Sequence, residues 1–454
     1  MTSNNPSIFW KIFLATVFLI AGTSFVAFIS LGKIEKQARI DVGNALNTVL
    51  KATNGSHAIW IKQRKSFLNL TANKPIVIST VKKLLSKKRS KDYLQNNEQL
   101  TKLRHYFDVT RTSLNDLGFF IISRDYINMA SMRDENIGIT NIIYQQRPDL
   151  IEKAFNGETV FVPPITSDVP LQGKALNNSP TMFFVTPIKD NGKILALLSI
   201  RDYPLQDFTR LTQIGRIGET GETYAFNQSG QMISNSRFNH QLRQIGLLTE
   251  KDDEAILNIR IADPAGNLLD GFKPASNRSI LPLTVMAQSA ISGLSDINIE
   301  GYRDYRGVRV LGAWLWNPVL GYGLTTEIDE EEALKGYITS KNIILVFIVT
   351  FLLLSISLVF VIFWLEQKSR LILKQSNDTL ELQVKERTAE LEGTIDNLKY
   401  LQGIIPICSY CKSIRNDEGS WDMLEKYLSH NTDAKFSHGI CPKCEKIARK
   451  DAGL

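Results

Sequence analysis

Four cysteines near the C-terminus, arranged as two C-x-x-C pairs, are the residues whose type and spacing most clearly predict chemistry. They are Cys408, Cys411, Cys441 and Cys444, and the sequence has no other cysteine. Two such pairs can close a tetrahedral site of four thiolates around Zn2+. Because four protein ligands leave no open coordination position for a substrate, we expect a structural zinc ion rather than a catalytic one.

Two alternatives to the four-cysteine zinc site remain open. His438, three residues before Cys441, could replace one of the thiolates. A C-x-x-C pair could also be a redox pair, but that would need a thioredoxin-like βαβ setting, which the surrounding sequence lacks. We predict a small zinc-binding module over residues 404–454.

The residues between the two cysteine pairs must supply the elements that hold the pairs in place. Ser420–Ser429 has Trp421, Leu424 and Leu428 on one helical face, which predicts an amphipathic helix. Residues 400–454 carry eight basic and seven acidic side chains, so there is no basic patch. We therefore expect no nucleic-acid binding, and we expect the module to recruit a protein partner.

A heptad pattern precedes the cysteine module and predicts a coiled coil over residues 366–403. One heptad frame has apolar residues at seven of ten a and d positions, which are Leu373, Leu380, Val384, Leu391, Leu398, Leu401 and Ile405. Asn377, Arg387 and Thr394 occupy the other three, and polar a positions weaken a coil while fixing its register. A parallel coil needs a second strand, so the pattern predicts a homodimer. A solvated helical stalk is the alternative.

Two uncharged apolar runs, Ile12–Leu31 and Ile343–Trp364, predict transmembrane helices. At about 1.5 Å per residue, each is long enough to span the roughly 30 Å hydrocarbon core of a bilayer. A cleaved signal peptide is the alternative for the first run, although no clear cleavage site follows before Lys33.

Two spans place both termini on one side of the membrane. Lys368, Arg370 and Lys374 favour a cytoplasmic side after the second span, whereas Lys33 and its basic neighbours favour the opposite orientation. Long translocated domains follow the positive-inside rule poorly, so the cysteines decide, since clustered thiols indicate a reducing compartment. We expect residues 1–11 and the C-terminal part to be cytoplasmic, and residues 33–341 to face outward.

The outward part predicts an α+β fold. Residues 33–74 have helical periodicity and no proline before Pro75, which predicts one long helix leaving the membrane. From there to about residue 330, short β-rich runs alternate with turn signals, such as Asp190-Asn191-Gly192 between two apolar runs. The pattern predicts two α+β units, a distal one over residues 76–204 and a proximal one over 205–330.

This arrangement resembles a double Cache domain, the extracytoplasmic sensor with two PAS-like units found in bacterial receptors. The phrases GETGETYAFNQSGQMISNSRF (Gly218–Phe238) and GYRDYRGVRVLGAWLWNPVLGYGLTTEID (Gly301–Asp329) are similar to membrane-proximal Cache units. The resemblance covers most of residues 34–335. It implies a receptor in the bacterial inner membrane whose distal unit binds a small molecule in the periplasm.

The same resemblance implies two ligand-binding residues in the distal unit. The amino-acid-binding version of the family uses an Arg followed by Trp-Tyr, and a late Asp. Arg147 and Asp202 match the charged positions, whereas Pro148-Asp149 stands where the family has Trp-Tyr. Arg147 would hold a ligand carboxylate, and Asp202 would pair with an ammonium group. Ordinary surface or ion-pair roles are the alternative for both residues.

The C-terminal part also resembles known signalling segments. Glu386–Leu391 resembles linkers that precede kinase domains in bacterial sensors, and Leu401–Cys444 is similar to a cysteine-containing module of two-component and PAS-containing proteins. After the second span the only histidines are His430 and His438, and both lie in the cysteine module. The coil therefore has no histidine to phosphorylate, and about ninety residues are too few for an ATP-binding kinase domain.

These expectations combine into a transmembrane signal-transduction receptor that is not an enzyme. It would sense a small molecule outside the membrane and signal through the coil and the zinc module to a cytoplasmic protein. One alternative is a degenerate sensor histidine kinase, or two-component subunit, that works with a separate catalytic protein. Another is a scaffold that only anchors other proteins.

Overall fold

A computed structural model describes residues 8–86, 90–114, 118–167, 180–249, 254–399 and 405–453. By contacts the chain divides into two units, one comprising residues 17–352 and the other comprising residues 1–16 and 353–454. The helices are α1 (Ile8–Ala72), α2 (Pro75–Leu85), α3 (Lys91–Gln95), α4 (Glu98–Leu114), α5 (Ile142–Gln146), α6 (Pro148–Phe155), α7 (Asp207–Ile214), α8 (Asn239–Gln244), α9 (Val285–Ile291), α10 (Glu330–Ala333), α11 (Lys335–Lys399), α12 (Leu424–Asn431) and α13 (Pro442–Asp451). The strands are β1 (Gly118–Ile122), β2 (Asn128–Ser131), β3 (Val160–Thr166), β4 (Pro180–Asp190), β5 (Lys193–Asp202), β6 (Glu222–Phe226), β7 (Asp296–Arg303), β8 (Arg309–Asn317), β9 (Tyr322–Asp329), β10 (Ile414–Arg415) and β11 (Trp421–Asp422). The α+β class expected from the sequence is confirmed.

Helix α1 is the common support of the unit formed by residues 17–352. Its buried side chains recur every three or four residues, which places them on one face of the helix, and they include Leu46, Leu50, His57, Ile61 and Leu68. The helix ends at Ala72 because Pro75 opens α2 at its first turn, where the missing N–H has no cost. One hydrophobic core joins this face of α1 to one face of each of two sheets.

The distal sheet has five antiparallel strands in the order β2-β1-β5-β4-β3. The β4–β5 hairpin turns at Asn191 and Gly192, whose φ angles are 49° and 80°. Two successive positive φ values match the turn that Asn-Gly favours, and the hairpin predicted at this point is present. One face of the sheet packs against α1, α2 and α4, and α5 and α6 cover the other.

The proximal sheet has four antiparallel strands in the order β6-β9-β8-β7. Strands β8 and β9 form a hairpin, and Pro318 opens the turn between them. After β6, Gln231 and Met232 form isolated bridges to Arg260 and Phe226 and no further strand of this sheet. Tyr224, Phe226, Tyr302 and Trp314 lie in a second core on the face turned away from α1.

Two helices are long and apolar enough to cross a membrane. They are α1, which contains the predicted first span, and α11, which contains the predicted span Ile343–Trp364 and most of the predicted coil. The most apolar stretch of each helix is not buried within the protein. Leu373, Leu380, Val384 and Leu391 are exposed on the single chain, and Leu401 lies outside the described residues.

The described part of the cysteine module, residues 405–453, has almost no core. The strands β10 and β11 form a two-stranded ladder, followed by α12 and α13. The predicted helix Ser420–Ser429 begins only at Leu424, because Trp421 and Asp422 pair with Arg415 and Ile414 in the ladder. Within these residues only Ile414 is buried.

Candidate functional site

Arg147, the first predicted ligand residue, lies between α5 and α6 on the distal unit. Its Nε and Nη2 donate to the two carboxylate oxygens of Asp149 at 2.9 and 2.8 Å. This hydrogen-bonded pairing lowers the pKa of Asp149. Arg147 therefore makes with Asp149 the bidentate contact that was expected for a ligand carboxylate.

Asp202, the second predicted ligand residue, ends strand β5 and is buried. Its cross-strand neighbour is Met182, which belongs to the core shared with α1. Directly opposed residues share a face of a sheet, so Asp202 is directed towards α1. There its Oδ2 lies 3.3 Å from Nη2 of Arg64, a residue of α1.

The structure does not bring Arg147 and Asp202 together. Helices α5 and α6, which flank Arg147, cover the face of the distal sheet opposite to the one that holds Asp202. Each residue also forms an ion pair within the chain. A single pocket in which both residues hold one ligand is therefore not formed here.

Arg201, one residue before Asp202, lies on the opposite face of the distal sheet, which is the face that α5 and α6 cover. Its side chain is 3% exposed, and its guanidinium carbon lies 5.2 Å from the ring centroid of Phe120 and 5.4 Å from that of Phe183. It lines a cavity of about 10 Å³, room for about one water molecule. Ser131, Arg133 and Asn136 contribute polar groups to the same cavity.

An arginine packed against aromatic rings, as Arg201 is against Phe120 and Phe183, holds its planar donors in a fixed orientation that suits a carboxylate. Arg201 is therefore the candidate contact for a ligand carboxylate in the distal unit, and the cavity beside it would have to widen to admit more than a water molecule. The sequence signal that could have found Arg201 is the two-residue period of strand β5. Ala196, Leu198 and Ile200 share a face with Asp202, so residue 201 is directed to the other face.

An aromatic cluster joins α1 to both sheets. Its members are His57 and Trp60 of α1, Phe161 and Phe184 of the distal sheet, Phe208 of α7 and Tyr322 of the proximal sheet. His57 is fully buried, and its Nδ1 shares a hydrogen bond of 2.8 Å with the Tyr322 hydroxyl. Burial lowers the pKa of His57 to about 4, and the backbone of Phe208 offsets only part of this effect.

Charged side chains join the membrane end of α1 to the segment that leads into α11. Arg39 of α1 donates to Glu35, to the Ile299 carbonyl and, at 2.8 Å, to Oε1 of Glu330. Arg309 donates to the other oxygen of Glu330 at 2.7 Å. These hydrogen bonds lower the pKa of Glu330 although burial opposes the change. The part of α1 that follows the first predicted span therefore contacts the segment that precedes the second predicted span.

The second core of the proximal unit contains two buried carboxyl groups side by side. Glu222 and Glu327 face each other on neighbouring strands. Glu327 accepts from the hydroxyls of Tyr224 and Tyr302 at 2.9 and 2.6 Å. Burial, with a contribution from Asp304, raises the pKa of Glu327 to about 8. Burial also raises the pKa of Glu222. The hydrogen bonds of Glu327 are thus made with side chains of the proximal unit itself.

The four cysteines form two local pairs. Hydrogen bonds from Ser413, and a further one from Cys408, lower the pKa of Cys411 to about 7. Contacts with Cys444 and Lys443 lower the pKa of Cys441 in the same way. Lowered thiol pKa values favour the thiolate form that binds metal. Among the described residues, however, no three possible metal ligands come together, so the two pairs are not assembled into one site.

Comparison with known proteins gives likeness of structure only. No family model and no curated protein matches the chain. The sensor domain of the V. cholerae histidine kinase DctB matches with 12% identity and a TM-score of 0.41, over 64% of this chain and 97% of that one. The ligand-binding domain of the Campylobacter jejuni chemoreceptor Tlp3, in complex with 4-methylisoleucine, matches with 14% identity and a TM-score of 0.39. That match covers 65% of this chain and 94% of that one.

Proposed function

We propose that this chain is a transmembrane receptor with an extracytoplasmic sensor unit and a cytoplasmic output module. The observation that carries the proposal is the course of α11. Strand β9 leads directly into α10, and α11 starts two residues after the last residue of α10. From there α11 continues as one helix through Ile343–Trp364 and into the heptad segment. A helix without a break can pass a movement from the sensor unit to the coil.

The contacts around Glu330 support a role in transmission. Arg39 is near the predicted first span and Glu330 is near the second, so their ion pair links the two membrane connections. The aromatic cluster at His57 links both sheets to the same helix, α1. A ligand that favours one arrangement of the distal sheet would therefore act on the helices that enter the membrane.

The proposal assigns Arg201 of the distal unit to the carboxylate of a small molecule, and the cavity of about 10 Å³ beside it must widen when that molecule binds. Both termini are placed in the cytoplasm of a bacterial cell, and the protein is a homodimer of the inner membrane. No residue is given a catalytic role. The output is recruitment of a cytoplasmic signalling protein by residues 405–453.

Zinc completes the output module in this proposal. A segment with a single buried side chain in its described part cannot be stabilised by an apolar core. Cys408, Cys411, Cys441 and Cys444 would hold the ion, since the two pairs supply four soft ligands and the thiol pKa values of Cys411 and Cys441 are lowered. The binding free energy of the metal would then be folding free energy.

A ligand screen on the full chain in nanodiscs tests the sensor function. The probes are the twenty amino acids and the unbranched mono- and dicarboxylates of up to four carbons, which lack the long apolar tail, and the readout is the melting temperature. We expect at least one probe to stabilise the protein saturably and to lose at least about tenfold in affinity in Arg201→Met. Arg147→Gln is the matched control and should bind normally. Equal binding by the wild-type protein and Arg201→Met would contradict the assignment.

A further inference from the structure

The proximal unit contains a cavity that is larger than the one at Arg201. Its volume is about 480 Å³, and it lies between the end of α8 and the loop that leads to α9. Apolar side chains form most of the wall, among them Ile245, Leu247, Phe272 and Leu281. Of the residues that the structure describes, Arg278 and Lys273 are the charged ones that line it, and none of the described lining residues is acidic. A cavity of this size is typical of small-molecule sites.

Arg278 is held in the wall by neutral acceptors. Its Nε and Nη2 donate to the Arg260 carbonyl at 3.2 and 2.8 Å, and Nη2 also donates to the Tyr305 carbonyl at 2.9 Å. Among the described residues no carboxylate forms an ion pair with it. Asp304, whose negative charge raises the pKa of Arg278, is paired with Arg306 at 2.7 Å.

The electrostatics of Arg278 indicate that the cavity accepts an anion. Burial lowers the pKa of Arg278 to about 10, and Tyr305 and Asp304 offset only part of that effect. Buried charges in proteins are normally paired, because an unpaired one keeps its desolvation cost. Lys273 adds a second positive charge at the exposed rim, and it too has no ion pair within the described ranges.

We propose that this proximal cavity binds an amphipathic carboxylate, with the carboxylate at Arg278 and Lys273 and the apolar tail along Leu247, Phe272 and Leu281. Nε and Nη2 of Arg278 donate to backbone carbonyls, so Nη1 is the nitrogen that donates to the carboxylate, and the apolar wall favours a chain of several methylene groups. The site is separate from the cavity at Arg201. It goes beyond the proposed function, because it gives the receptor a second ligand of a different class.

Calorimetric titration of the full chain in nanodiscs tests the proposal, with hexanoate as the probe and empty nanodiscs as the blank. Hexanoate should bind saturably, whereas acetate, which lacks the tail, and hexan-1-ol, which lacks the charge, should bind at least about tenfold more weakly. Equal binding of hexanoate and hexan-1-ol would overturn the assignment of an anion site. Absence of saturable hexanoate binding would overturn the proposal as a whole.

Two substitutions at one exposed wall position separate the charge effect from loss of folding. Leu269 lines the cavity and is 38% exposed, so its replacement should leave the fold intact. Leu269→Glu should weaken hexanoate binding at least tenfold by repulsion, whereas Leu269→Lys, which is equally polar, should not. Similar affinities in the two variants would contradict the proposal.

A third variant distinguishes this proposal from the proposed function. Arg201→Met alters only the distal cavity, so hexanoate should bind to it as to the wild-type protein. Loss of hexanoate binding in Arg201→Met, with Leu269→Glu unaffected, would move the site to the distal unit and overturn the proximal assignment.

Discussion

The buried imidazole of His57 is a single residue whose protonation state affects the whole sensor unit. It lies among the rings of Phe208, Tyr322 and Trp60, and its partner Tyr322 belongs to the far end of the sequence. No acidic side chain contributes to its titration, and burial is the main cause of its low pKa. The neutral form is therefore the one that fits the junction between α1 and the two sheets.

Substitution of His57 should change how stability depends on pH. The folded-state pKa of about 4 is below the ordinary histidine pKa of 6.5, so the unfolded chain binds more protons between these pH values. Stabilisation from the neutral ring is present above pH 6.5 and is lost as pH falls towards 4, by about 3 kcal/mol in total. His57→Gln should remove this dependence. Unfolding of both proteins followed at pH 7 and pH 4.5 would show it, and parallel losses would contradict it.

At the residue scale, the local sequence does not show which face of strand β5 meets α1. Asp202 lies on the α1 face, and the predicted pairing of Arg147 and Asp202 in one pocket is not formed. Faces of a strand alternate at every residue, so Arg201 lies on the other face. Which face of β5 meets α1 is decided by packing with residues more than 100 positions away, such as Arg64, and the local sequence does not contain that information.

Among the elements, α11 is continuous from Lys335 to Lys399, and its heptad stripe has no partner within the chain. Leu380, Val384 and Leu391 line a shallow apolar groove on one side of the helix. A lone helix with such a stripe leaves apolar area in water, which a second copy would cover. Asn377 and Arg387 interrupt the stripe and limit the stability of the pair.

Photo-crosslinking in membranes tests the predicted parallel dimer. A photoreactive amino acid at Leu380, a heptad core position, should give efficient crosslinking between two copies of the chain. The same amino acid at Ala389, on the opposite side of the helix, is the matched control and should give at least about fivefold less product. Equal yields at the two positions would show that the stripe is not the dimer interface.

The cysteine module is the element for which the proposal requires a component outside the chain. With Ile414 as the sole buried residue in its described part, it has too little apolar burial to fold by itself. The C-x-x-C pairs were recognisable from their spacing alone. The boundary between the β10–β11 ladder and the helix within residues 420–424 was not recognisable, since strand and helix patterns are ambiguous over so few residues.

Metal analysis of the purified full chain tests the zinc proposal. We expect about one zinc ion per chain in the wild-type protein and a loss of most of it in Cys411→Ser and Cys444→Ser. His438→Ala should keep its zinc if four thiolates hold the ion. Retention of zinc by both serine variants would exclude the four-cysteine site, and loss from His438→Ala would favour the three-cysteine alternative.

For the whole molecule, the proposed topology rests on the two apolar helices and the position of the cysteines. The sensor unit contains no cysteine, and all four thiols follow α11. The order of the main elements was predictable because each has a strong local pattern, namely apolar runs, heptads or an Asn-Gly turn. The joint packing of both sheets on α1 was not, because it depends on contacts across most of the chain.

Cysteine labelling in intact cells tests this topology. A membrane-impermeant maleimide should react with Ser229→Cys, an exposed position of the sensor unit, and not with the four native cysteines. After permeabilisation and addition of a zinc chelator, the native cysteines should react as well. Labelling of the native cysteines in intact cells would reverse the assigned orientation.

The face of α1 that supports both sheets also has a consequence for biosynthesis. His57 meets Tyr322 across 265 positions, and Arg39 meets Glu330 across 291. While the chain is being made, α1 emerges first, but its proximal-sheet partners Ile299 of β7 and Tyr322 of β9 are synthesised more than 250 residues later. Contacts of such long sequence separation form late. We therefore expect the nascent sensor unit to need protection by a chaperone on the outer side of the membrane until β9 arrives.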